Sequence, residues 1–252
     1  MGSTARIAGI IPARWGSSRF PGKPLHLLAG KPLLQHVFEQ ALKCERLDAV
    51  LIATDDERIR DAAQGFGAEV VMTSPGHPSG TDRIAEAAAR FSGLTHVFNI
   101  QGDEPLLDPA LVDDLALIMT QSPDLAMITA ANPITDQSQM DDPNIVKVVL
   151  DNDGDALYFS RSAIPHRRSR PEGLVLYRHV GLYGYRCDFL GNFVLWPPSL
   201  LEQTEGLEQL RALENGIRIR VVVTPHEAIG LDSPDQIPLI ESLLLQQTLN
   251  TQ

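Results

Sequence analysis

Apolar runs and amphipathic stretches alternate through the first half of this 252-residue chain. Continuous apolar runs at 7–13, 49–54, 69–72 and 96–100 predict short, buried strands. Between them, apolar residues recur at helical spacing over 32–43, 57–66, 81–91 and 109–121, with Pro32 suited to a first helical turn. Regular strand–helix alternation predicts a largely parallel sheet covered by helices on both faces. Such sheets bind ligands beyond the carboxyl ends of their strands. The basic segment 14–24, the Asp55-Asp56 pair and the turn 101–105 all follow strands, and are expected on one rim.

The pattern changes after about Gln121. Strand-like runs at 125–131, 146–150, 156–159 and 177–185 are separated by turns, and Asp151-Asn152-Asp153-Gly154 is a hairpin signal. Residues 161–173, rich in Arg and Pro, read as an exposed loop. Helices are expected over 188–195 and 207–215, a strand over 218–223 and an amphipathic helix from Pro234 to about 249. The expected organisation is therefore an α/β core over 1–124, a mixed α+β lobe over 125–217, and a return to the core with a C-terminal helix over 218–252.

The first strand ends in Pro12-Ala13-Arg14-Trp15-Gly16-Ser17-Ser18-Arg19-Phe20-Pro21-Gly22-Lys23-Pro24. Arg14, Arg19 and Lys23 supply three fixed charges, and the glycines and serines leave backbone N–H groups free, which suits a polyphosphate. It is not a Walker A loop: the spacing between Gly16 and Gly22-Lys23 is one residue too long, and Pro24 stands where a metal-binding Ser or Thr would be. A solvated basic turn is the plainer alternative.

Net charge narrows the ligand. At −11 the chain lacks the broad basic character of a duplex-binding protein, so a small anion at one basic loop is expected rather than a nucleic acid. Cys44 and Cys187 have no metal-like or redox-like spacing and read as ordinary thiols. No apolar run approaches a membrane span, and no signal-peptide pattern opens the sequence, so a cytoplasmic location is expected.

Several further groups could carry chemistry. Asp103, in Gln101-Gly102-Asp103-Glu104-Pro105, suits a Mg²⁺ that takes one or two carboxylates plus substrate oxygens; it equally suits a helix cap. Asp232 precedes Ser233-Pro234, an ordinary helix start. Ser79-Gly80-Thr81 opens a helix, either as a ligand-binding N-terminus or as a simple cap. Arg178-His179-Val180-Gly181-Leu182-Tyr183-Gly184-Tyr185 is a strand broken by glycines, which often mark close approach of a ligand or backbone.

Taken together, these segments resemble the 3-deoxy-manno-octulosonate (Kdo) cytidylyltransferase family over nearly the whole chain. The Pro-Ala-Arg…Ser-x-Arg-x-Pro-Gly-Lys-Pro loop is similar to that of sugar nucleotidyltransferases. Gln-Gly-Asp-Glu-Pro, Ala-Leu-Tyr-Phe-Ser-Arg and Arg-His-x-Gly-x-Tyr narrow the resemblance to the Kdo branch. It implies a Rossmann-like, nucleotide-diphospho-sugar transferase fold and the reaction of CTP with Kdo to give CMP-Kdo and diphosphate, for lipopolysaccharide biosynthesis. It implies that Arg14, Ser17, Arg19 and Lys23 hold the triphosphate and that Ser79, Gly80 and Thr81 help read cytosine. Asp103 and Asp232 would hold Mg²⁺, with Arg14, Lys23, Asp103 and Asp232 forming the catalytic set. Gln101, Arg161, His179, Tyr185, Glu208 and Gln209 fall on Kdo-binding positions, and the family implies a homodimer. Asp82 stands where many relatives carry Glu. A related enzyme for 8-amino-Kdo or a sialic-acid-like sugar, and a non-catalytic nucleotide-binding regulator, are the alternatives.

Overall fold

The computed structural model describes residues 5–16, 20–169, 171–226, 229–231 and 233–250. The chain divides into two compact units, 1–116 with 228–252, and 117–227.

In the first unit, strand β1 (Ile7–Ala13) is followed by a small hairpin, β2 (Leu27–Leu28) and β3 (Lys31–Pro32), and helix α1 (Leu33–Ala41). Strand β4 (Ala49–Thr54), helix α2 (Glu57–Gly65), strand β5 (Glu69–Met72), helix α3 (Gly80–Ala89) and strand β6 (His96–Asn99) alternate as expected. Strands β4 and β6 flank β1 in parallel, and β5 lies parallel to β4. Both faces of β1 are covered: Ile7, Ala8, Ile10 and Ile11 are all buried. This explains the continuous apolar runs, because a strand buried on both faces has no polar alternation to show. Helix α4 (Pro109–Gln121) carries the chain across the boundary between the units.

The second unit contains β7 (Met127–Pro133), β8 (Lys147–Leu150), β9 (Ala156–Ser160) and β10 (Tyr177–Arg186). Helices α5 (Cys187–Phe193), α6 (Leu200–Glu205) and α7 (Gln209–Glu214) precede β11 (Ile219–Val223). Strand β10 pairs antiparallel with β7 and β8, β9 pairs antiparallel with β8, and β11 is parallel to β7. Strand β11, at 219–223, pairs with β7 at one edge of the sheet. Helix α6 was not expected. A Ser199–Glu202 capping box starts it and Gly206, at φ 64°, ends it.

The chain then returns to the first unit, where helix α8 (Ile237–Asn250) packs back on it. Leu231, Ile240 and Leu244 join Leu28, Leu33 and Leu106 in one buried apolar cluster, with Phe20 and Ile237 against it. Burying an aliphatic side chain of this size contributes about 1.5–3 kcal/mol, so Leu231 is a substantial anchor for the segment around it.

Candidate functional site

The site of the first unit begins where β1 stops. The Gly22 N–H donates to the Trp15 carbonyl at 3.1 Å, and the Lys23 N–H to the Phe20 carbonyl at 3.2 Å, so the basic segment is closed at its base. Gly22 has φ 73°, and a Cβ there would stand 3.1 Å from the Trp15 ring, which leaves glycine as the residue that fits. The Arg58 guanidinium lies over the indole, 3.5 Å from the ring centroid. Arg58 is itself held by the Asp56 carboxylate through Nε at 2.9 Å and Nη2 at 2.6 Å.

Arg14, Lys23, Ser79, Gly80, Gln101 and Asp103 line one cleft of about 470 Å³, together with His77, Arg83 and Gly102. The turn 101–103 sits tightly against β1: a Cβ on Gly102 would lie 3.0 Å from the Pro12 carbonyl oxygen. That contact fixes where Asp103 stands. Lys23 Nζ donates to Asp103 Oδ2 at 2.6 Å and to the Leu231 carbonyl at 2.8 Å. The Leu231 N–H in turn donates to the Asp103 carbonyl at 2.8 Å. Three segments distant in sequence are thus knotted through one ammonium. The lysine side chain is 17% and the aspartate 31% exposed, so a ligand in the cleft can reach both.

The start of α3 forms another wall. Ser79 Oγ accepts from the Thr81 and Asp82 N–H groups and donates to the Asp82 carboxylate. Its hydroxyl is therefore spent on capping the helix, and the lining it offers is the helix N-terminus beside Gly80, a natural place for negative charge. Thr81 is buried in the first turn rather than on the cleft lining. Arg83 is a lining residue that the sequence reading missed. It is buried, donates to Thr73 Oγ1 at 2.5 Å and lies 3.1 Å from Asp55 Oδ1. The expected rim is thus real for Asp55. His77 Nε2 bonds Glu86 at 2.5 Å. The Ser74 N–H, His77 and Arg90 together hold the Glu86 carboxyl down at about 2.

A second polar cluster lies in the second unit, around an irregularity in β10. The register against β7 shifts between Val180 and Tyr183, as a β-bulge does when it re-aims side chains. Thr129 Oγ1 lies 3.1 and 2.8 Å from the Val180 and Leu182 carbonyls, either of which can take its one proton, and 3.0 Å from His179 Nε2. With the hydroxyl proton given to a carbonyl, His179 donates from Nε2 and keeps Nδ1 as an acceptor. Burial drives its pKa down to about 3, so this imidazole is neutral at physiological pH. It packs on Phe159 and Tyr183 at 5.1 and 5.2 Å, and Tyr183 stacks on Tyr185 at 5.9 Å.

Tyr183 and Gln209 stand out because each is buried: the Tyr183 phenol interacts with the Thr129 hydroxyl without a well-formed hydrogen bond, and Gln209 Nε2 has no hydrogen-bond partner among the described residues. Burial, then Tyr185 and Glu208, push the Tyr183 phenol well above its ordinary pKa, so it stays a donor. Buried orphan donors are costly and call for an explanation, a ligand being one. Tyr183 was missed from sequence, where Tyr185 was the phenol chosen; Tyr185 is fully buried and also stacks on Phe193. Arg161, another expected sugar-site residue, is tied to main chain. Its guanidinium donates to the carbonyls of Glu205 at 2.7 Å, Pro143 at 3.0 Å and Gly206 at 3.5 Å, lashing three main-chain segments together. Of the remaining expected residues, Ser17, Arg19 and Asp232 lie outside the described residues.

Among the described residues no group of three or more His, Cys, Asp or Glu converges as a ready-made metal cage. The cleft thus sets the Arg14 and Lys23 cations and the N-terminus of α3 beside one carboxylate, Asp103, a setting that suits an anion. The sequence profile of the family described as "Cytidylyltransferase" matches residues 8–219. The 3-deoxy-manno-octulosonate cytidylyltransferase of Solibacter usitatus is 50% identical over 94% of this chain and 94% of its own. That of Geobacter sulfurreducens is 48% identical over 92% of this chain and 96% of its own. A solved CMP:2-keto-3-deoxy-manno-octonic acid synthetase complexed with CTP superimposes with TM-score 0.92 at 41% identity, over 96% of this chain and 100% of that one. The chain belongs to the cytidylyltransferases and, within them, to the 3-deoxy-manno-octulosonate cytidylyltransferase family.

Proposed function

We propose that the cleft of the first unit binds CTP and that the bulged cluster of the second unit binds the sugar acid. The enzyme activates Kdo: CTP and 3-deoxy-D-manno-octulosonate give CMP-Kdo and diphosphate, as the names of its relatives describe. The observation that carries the assignment of the cleft is the meeting of Arg14, Lys23 and the Gly80 helix end with the Asp103 carboxylate. Fixed cations and N–H groups stabilise a transferring phosphoryl group without reorganising. Attack of the sugar 2-hydroxyl on the α-phosphorus then releases diphosphate. In the second unit, the poorly satisfied Tyr183 phenol and the unpartnered Gln209 Nε2, with Glu208, His179 and Tyr185, suit a polyhydroxylated acid. Neutral His179 would accept from a hydroxyl at Nδ1 rather than pair with a carboxylate. Gln101 lines the nucleotide cleft.

The oxygen donors at the cleft edge fit Mg²⁺, which takes one or two carboxylates and fills its shell from phosphates and water. An ammonium already occupies a cation position between the Asp103 carboxylate and the Leu231 carbonyl. Asp103, with Asp232, would hold the ion, which supplies charge neutralisation and lowers the pKa of a bound hydroxyl. We also propose a homodimer formed through the second unit, where Leu157, Leu195 and Leu200 stand exposed, and residence in the cytoplasm, in keeping with its two free thiols, as a step in lipopolysaccharide biosynthesis. No described helix is long and apolar enough to cross a membrane.

The test is diphosphate release from CTP and Mg²⁺ with Kdo, 8-amino-Kdo and N-acetylneuraminate, the product identified by mass. Kdo is expected to turn over. Release with another sugar alone would overturn the sugar assignment, and CTP binding without any turnover would favour a regulator. Asp103→Asn should lower turnover about 10²–10³-fold, as loss of a transition-state charge contact does, with an unchanged melting curve.

A further inference from the structure

We infer that Lys23 is a place-holder cation, keeping the Asp103 carboxylate closed to divalent ions until a nucleotide triphosphate draws the ammonium away. This rests on the reading of Asp103 as a metal ligand. The ammonium makes two short contacts, 2.6 Å to Asp103 Oδ2 and 2.8 Å to the Leu231 carbonyl, on oxygens of the kind a hard divalent cation takes. The carbonyl cannot drift, because Leu231 is fully buried in the cluster with Leu106 and Ile240 and its N–H is tied to Asp103. The carboxylate is fixed by the tight seat of Gly102 on Pro12. What can move is the lysine stem, whose ammonium is a compact charge on four flexible carbons.

While the ammonium stays, a divalent ion approaching Asp103 meets a full positive charge and a neutralised carboxylate. A triphosphate in the same cleft offers the ammonium several oxyanions instead. Once the lysine turns to them, the carboxylate and carbonyl are left facing the cleft with their charge exposed. Nucleotide and ion then bind cooperatively, and the coupling is reciprocal. The free enzyme is spared from loading with stray ions.

The test needs no turnover. Mn²⁺, a hard ion of the same preference, is titrated into nucleotide-free protein and followed by the electron paramagnetic resonance of the free ion. Lys23→Met and Lys23→Gln are expected to bind Mn²⁺ at least about tenfold more tightly than wild type, the low end for removing one charge beside a divalent ion. The gain should vanish in Lys23→Met/Asp103→Asn. Equal affinity in wild type and both Lys23 variants, with Asp103→Asn weakening all of them, would overturn the place-holder and leave the metal reading standing. Affinity indifferent to Asp103→Asn would overturn that reading itself, and the inference with it. The Gln variant retains a donor for the Leu231 carbonyl, so it serves if Lys23→Met does not fold.

Discussion

Gly102→Ala is the sharpest single test of how the cleft is positioned. The added methyl would lie 3.0 Å from the Pro12 carbonyl oxygen, 3.5 Å from Ile11 Cγ2 and 3.9 Å from Leu34 Cδ1. A carbon normally stands about 3.3–3.6 Å from a carbonyl oxygen, so a few tenths of an ångström must be found. Pro12 belongs to β1 and is paired with Ala53, so the turn moves and Asp103 moves with it. Overpacking of this order costs about 1–3 kcal/mol; 2 kcal/mol would lower the melting temperature by about 4–8 °C for a chain of this size. Displacing a catalytic group by 1 Å costs up to about 10² in rate, so a few tenths should lower kcat about tenfold. Thermal unfolding by circular dichroism and diphosphate release at saturating CTP measure the two effects. Gly191→Ala is the control: nothing lies within 4 Å of its Cβ position in α5, and helix propensity predicts a gain of about 0.5–1 kcal/mol with unchanged activity. Wild-type melting and wild-type kcat in Gly102→Ala would refute the reasoning.

Three further outcomes are expected. Arg58→Ala removes the cation above Trp15, worth about 0.5–1 kcal/mol at an exposed site, and should raise the KM for CTP about two- to fivefold without changing kcat; Arg58→Lys should restore part of it. Tyr183→Phe deletes a buried hydroxyl that lacks a well-formed hydrogen bond, so the fold should melt within about 1 °C of wild type while the KM for Kdo rises about tenfold; a lower melting temperature with unaltered KM would assign the phenol a purely structural task. His179, held neutral down to about pH 3 against an ordinary 6.5, makes the unfolded chain the better proton binder throughout that interval. Its contribution is therefore complete above pH 6.5 and falls as pH drops towards 3, by about 1.4 kcal/mol per unit well inside the window. His179→Asn should flatten the acid limb of a stability–pH profile measured by urea unfolding.

The first unit was legible because its strands are buried on both faces and its helices on one, so the period of the pattern is also the period of the structure. The cleft residues followed from the rule that strand ends form the rim, which placed Arg14, Asp55, Gln101 and Asp103 before any coordinate did. Arg83 escaped because a buried arginine on an amphipathic helix looks like part of its solvated face. In β10 the alternation of Tyr183 and Tyr185 gave no means of choosing between them: the bulge after Val180 is a backbone event with no sequence period. The resemblance put Arg161 at the sugar, and only the turn of the main chain at 143 and 205–206 shows the three carbonyls it also donates to. The part played by Leu231 is likewise invisible, because what it offers is a carbonyl that any residue has.

The buried Leu231 peg also bears on the order in which the site comes into being. Among the described residues, those lining the cleft all lie within the first 103 positions, so these walls are synthesised early. The carbonyl that steadies Lys23, and the helix α8 that holds Leu231 down, leave the ribosome after the whole second unit has been made. A nascent or truncated chain ending near 227 would carry the described cleft lining with its lysine untethered on one side. The lysine's second tether therefore depends on a segment more than 120 residues beyond the cleft walls in sequence.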